Sequence, residues 1–122
     1  MPDHITERHG VPVLVCDAHG PLVAGPQDAL DLIGATTGAD IVALPAERLD
    51  DSFFALHTRV AGEIMQKFVN YHVRLAIIGD ISAHVAASNA LRDLIRESNR
   101  GRHVWFLANF DELDARLAGT SA

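Results

Sequence analysis

One stretch of the chain repeats its apolar residues at three- and four-residue steps: Val60, Ala61, Ile64, Met65, Phe68 and Val69. Arg59, Glu63, Gln66, Lys67 and Asn70 occupy the other side. This period predicts a helix with one buried face. Asp51 or Ser52 would cap its start by accepting from free backbone N–H groups. Glu63 precedes Lys67 by four residues, the favourable order for an exposed ion pair of about 0.3–0.5 kcal/mol. Elsewhere the pattern changes to short apolar runs. Val11 to Cys16, Ile41 to Leu44, Val73 to Ile78 and His103 to Ala108 read as strands, the continuously apolar ones covered on both sides of a sheet. A weaker strand from Asp3 to Arg8 precedes the first run, and His9-Gly10 between them suits a tight hairpin turn.

Helices are expected between and after these strands. Pro26 to Thr37 opens with a proline that needs no hydrogen-bond partner there and buries Ala29, Leu30, Leu32 and Ile33, with Gly38 as its stop. Ser88 to Asn99 turns Leu91, Leu94 and Ile95 inward and ends at Gly101. The last helix carries Leu113 and Leu117, with Asp111 as its cap and Asp114 completing an approximate capping box. Strands alternating with helices favour a mainly parallel sheet, since right-handed crossovers lay helices on its faces. The expected fold is α/β, a five-stranded mostly parallel sheet with an N-terminal β-hairpin and four helices, formed by residues 1–122 as one domain.

Composition narrows the function classes more than it selects one. The chain has 122 residues, 48% of them hydrophobic and 21% charged, ample for a buried core. Its formal net charge of −6 argues against a nucleic-acid-binding surface, and its one lysine, Lys67, against a polybasic membrane patch. No apolar run approaches the roughly 18 residues of a membrane-spanning helix. The start, Met1-Pro2-Asp3-His4, lacks the basic-then-apolar order of a secretory signal. A cytoplasmic setting is expected, and the single Cys16 reads as a small core residue. The seven histidines (His4, His9, His19, His57, His72, His84 and His103) show no metal-ligand spacing. Neither a nucleophile elbow nor a phosphate- or dinucleotide-binding glycine run is present, so no metal or cofactor is expected.

Five blocks resemble one family. They are Gly25 to Ile33, Phe53-Phe54, Ala61 to Tyr71 (AGEIMQKFVNY), Leu75 to Asp80 (LAIIGD) and Leu91 to Gly101 (LRDLIRESNRG). Together they are similar to the bacterial group called domain of unknown function 4180, a name that implies a fold and no activity. The sequence departs from that pattern at Arg59, where the family often has glycine, and in an alanine-rich, longer stretch from Ile81 to Ala87. The order of elements is also similar to STAS domains, in which a serine following an aspartate at a helix start can be phosphorylated. Asp51-Ser52 stands in a comparable place.

These observations yield a set of candidate site residues. Ser52 is a candidate phosphoacceptor, since a helix start favours added negative charge. Gly79 and Asp80 fall at the carboxyl end of a central strand, where α/β sheets place ligands. Glu63, Gln66, Lys67 and Asn70 form a polar helix face suited to a partner, and Glu97, Asn99 and Arg100 add contacts from the next helix. The leading expectation is a regulatory or partner-binding domain in which Asn70 and Asp80 become neighbours. The alternative is a small-molecule-binding protein or small enzyme with Asp80, Glu63 or a histidine as acid/base group. The apolar helices also make a homo-oligomer interface an expectation.

Overall fold

The computed structural model describes residues 3–36 and 38–120. The order is β1 (His4–Arg8), β2 (Val11–Val15), α1 (Pro26–Gly34), β3 (Ile41–Pro45), α2 (Asp51–Phe54), α3 (Val60–Asn70), β4 (Arg74–Ile78), α4 (Ser82–Ala87), α5 (Asn89–Arg100), β5 (Val104–Leu107) and α6 (Phe110–Thr120). Two 3-10 turns, Ala46–Arg48 and Leu56–Thr58, flank α2. The five strands lie in sequence order, β1 antiparallel to β2 and the remaining neighbours parallel. His9 and Gly10 both take positive φ, 50° and 79°, the geometry that matches a two-residue hairpin to strand twist.

A sheet whose strands follow in order has crossovers that all advance the same way. Right-handed connections then place α1, α3 and α5 on one face. There Leu14, Val42, Leu44, Leu75, Ile77, Val104 and Phe106 pack with Ala29, Leu32, Ile64, Phe68, Leu91 and the Phe53-Phe54 pair. Side chains alternate across the pleat, so Val13, Ile41, Ala43, Ala76, Trp105 and Leu107 project to the other face. Leu113 and Leu117 of α6 cover that second cluster. Burial on both faces explains the continuously apolar strands.

Several boundaries differ from expectation. The long helix begins at Val60, because the chain first makes α2 and a 3-10 turn; Asp50, rather than Asp51 or Ser52, caps α2. Two short helices, α2 and α4, therefore add to the expected four, and the alanine-rich stretch Ile81 to Ala87 is mostly helical. α1 stops at Gly34, with the Thr36 hydroxyl donating to the Ile33 carbonyl, while Thr37 lies outside the described residues. Ser88 caps α5 through Leu91 N–H. For α6 the capping oxygen belongs to Asn109, which accepts from Glu112 N–H; Asp114 instead pairs with Arg8 at 2.9 Å. Glu63 and Lys67 form no ion pair among the described residues.

Candidate functional site

Helices that cross over a parallel sheet run against its strands, and this separates the candidates. α3 ends at Asn70 beside the amino edge, while Gly79-Asp80 follows β4 at the carboxyl edge. The five residues of β4 between them span roughly 17 Å. Asn70 and Asp80 are thus at opposite ends of the sheet, and the expectation that they adjoin is corrected.

At the carboxyl edge two turns share one design. After β3, Asp50 accepts from Ser52 N–H at 3.1 Å and from its hydroxyl at 2.6 Å. After β4, Asp80 accepts from Ser82 N–H at 2.9 Å. In each turn the serine's hydroxyl and then its N–H stabilise the ionised carboxylate and lower its pKa. The Ser52 hydroxyl is therefore engaged with Asp50, and a phosphate on it would meet that carboxylate and Asp51 beside it. Gly79 adopts φ +147°, and a Cβ there would come within 3.0 Å of the Ala46 Cβ. Glycine at this point lets the turns after β3 and β4 approach.

Two clefts flank Gly79-Asp80. One, of about 370 Å³, is bounded by Glu47, Asp51, Phe54, Asp80 and His84. The other, of about 470 Å³, runs past Ser82, Val85, Phe106 and Glu112. The Phe54 and His84 rings stack at 4.0 Å, interplanar angle 11°, at the rim of the first. Glu47 was not singled out from sequence, Asp51 was read only as a cap and as the residue before Ser52, and His84 only among the seven histidines, although the position of Glu47 and Asp51 after a strand's carboxyl end was an available signal. Beneath this edge Arg48 is buried, donating to the carbonyls of Pro21 at 2.9 Å and Asp17 at 3.1 Å. Nearby Cys16 has its pKa pushed up to about 11 by burial, with Asp3 adding and Arg48 opposing. Among the described residues no three His, Cys, Asp or Glu side chains are grouped to hold a metal ion.

The remaining candidates divide between two places. Gln66 and Glu97 line a groove of about 410 Å³ between α3 and α5, floored by Met65, Val69, Leu94 and Val104. Gln66 also donates to Asn70 at 2.8 Å, and Arg100 pairs with Glu97 at 3.5 Å. Glu63 is exposed and Lys67 half-buried on α3. Asn99 has a different role from the expected contact: its amide accepts from Phe106 N–H at 2.7 Å and donates to Phe106 C=O at 3.2 Å. It thereby occupies the outer hydrogen-bonding groups of the edge strand β5.

The family blocks read from sequence map onto α1, α2, α3, β4 with its turn, and α5. The family described as domain of unknown function (DUF4180) matches residues 8–117. The chain belongs to this family. No curated protein and no solved structure matches the chain. Membership thus brings no residue roles, and the chemistry rests on the geometry above. No helix among the described residues is long and apolar enough to cross a membrane.

Proposed function

We propose that this chain is a STAS-like regulatory domain that binds a protein partner through the carboxyl edge of its sheet. The topology supports the STAS analogy, and fold analogy alone does not carry function. The observation that carries the reading is the character of this edge. Glu47, Asp51 and Asp80 line one cleft with the stacked Phe54 and His84 rings, and among the described residues none of them forms an ion pair. Such a surface suits a basic partner offering an apolar or aromatic side chain. Complementary charge would chiefly set its on-rate and salt dependence. The partner face expected on α3 is here replaced by strand-end carboxylates, because the fold separates Asn70 from Asp80.

A second reading, a small-molecule-binding protein or small enzyme at the same edge, draws on the clefts beside Gly79. Asp80 weighs against acid/base chemistry, since its carboxylate caps a turn and its pKa moves away from neutrality. Capture from native extract with wild type, Glu47→Lys/Asp51→Lys and Arg96→Glu proteins separates the readings. A basic partner lost at higher salt and lost with the first variant, but retained by the Arg96 variant, is expected. Partners held equally by all three proteins would refute this docking face. A metabolite that raises the melting temperature and is displaced by Asp80→Asn would favour the second reading.

A further inference from the structure

The amino edge has the opposite character. We propose that it carries a site for a small phosphate-bearing anion, held by Arg74, Arg102, His72 and His103 beside Trp105. Strand alternation brings Val11, Arg74, His103 and Trp105 to the face that α6 covers. Arg74 lies in register with Ile41 of β3, which is paired with Val13 of β2, so an arginine occupies a row whose positions on those two strands are fully buried and apolar. Beyond Leu117 this face opens into a cleft of about 440 Å³, lined by these residues and by Arg102 and His72.

Among the described residues no carboxylate lines the cleft, although the chain carries a net charge of −6. Among the described residues Arg74 and Arg102 make neither an ion pair nor a side-chain hydrogen bond. Arg8, Arg96 and Arg100 instead have carboxylate partners. Two guanidiniums, Arg74 at 5.8 Å and Arg116 at 4.6 Å, lie over the Trp105 ring. The ends of α3, α5 and α6 favour cations at this edge in general. Arg116 answers that demand by donating to the Asn99 carbonyl. Among the described residues the Arg74 and Arg102 side chains donate to no carbonyl, so neither caps a helix end as Arg116 does.

Donors from three segments surround the cleft: the turn after α3, the start of β4 and the turn before β5. That spread suits the several oxygens of a tetrahedral phosphate better than the planar pair of a carboxylate. Val11, Trp105 and Leu117 provide apolar surface for a small organic body attached to it.

Trp105 is the only tryptophan, and its indole N–H donates to the Gly101 carbonyl at 2.9 Å, so fluorescence and the indole N–H resonance both report on the cleft. Phenyl phosphate, inorganic phosphate, benzoate and benzyl alcohol are titrated at low salt into wild type, Arg74→Gln, Arg102→Gln and Arg96→Gln proteins. Saturable binding of phenyl phosphate is expected, tighter than inorganic phosphate or benzoate. Loss of one charge-assisted contact should weaken it about tenfold or more in the Arg74 and Arg102 variants. Arg96→Gln should bind like wild type. Arg102 is exposed in a turn, so its variant tests the idea even if Arg74→Gln is unstable. Absence of saturation, benzoate or benzyl alcohol binding as tightly as phenyl phosphate, or unchanged affinity in Arg102→Gln would overturn the proposal.

Discussion

Arg59 joins the 3-10 turn Leu56–Thr58 to α3 at φ 66° and ψ 5°, in the left-handed region. An L-residue pays roughly 1–2 kcal/mol to sit there, because its Cβ crowds the following carbonyl. Its side chain is exposed and, among the described residues, makes no ion pair to offset this. The stabilising contacts at this position are backbone ones: Arg59 N–H donates to Leu56 at 3.1 Å, and its carbonyl accepts from Glu63 N–H at 3.0 Å. Arg59→Gly retains both bonds and removes the crowding. Glycine returns about 0.5–1 kcal/mol through its greater freedom when unfolded. The net expectation is a stabilisation of about 0.5–1 kcal/mol, raising the melting temperature by about 2–5 °C. Urea denaturation of wild type, Arg59→Gly and Arg59→Ala measures it. Alanine keeps the crowding and should stay within about 0.5 kcal/mol of wild type. A glycine variant with a midpoint no higher than wild type would refute the argument.

Three further outcomes follow from the contacts. Asn99→Ala leaves the Phe106 N–H and C=O of the edge strand without their partner, so stability should fall by about 1–3 kcal/mol. Hydrogen exchange at Phe106 should quicken before that of β4. Asp50 and Asp80 have folded pKa values below their unfolded ones, so their contribution is complete above the unfolded value near 4 and is lost as pH falls through the folded values. Asp50→Asn/Asp80→Asn should therefore show a shallower loss of stability below about pH 4 than wild type, and equal slopes would contradict this. Cys16, buried with a pKa near 11, should resist a thiol reagent at pH 8 and react only as the chain unfolds. Stopped-flow labelling with and without denaturant checks that order.

The hydrophobic pattern alone determined the element types. Apolar runs such as Leu75 to Ile78 require a sheet covered on both faces, and the 60–69 periodicity requires a helix with one. These are local consequences of side-chain spacing, which is why the hairpin, the parallel sheet and the four main helices were legible. Family membership was legible for the same reason, through contiguous blocks. The caps were less so: Asp50, Ser52, Asn109 and Asp111 are chemically alike, and only the backbone's path decides which oxygen meets a free N–H. Tertiary structure alone decided which candidates share a surface. It brings His72, Arg74, Arg102 and His103 around one cleft, while crossover handedness leaves α6 alone on one face. Chain spacing contains neither fact, because neighbours across a sheet are set by the direction in which each connection turns.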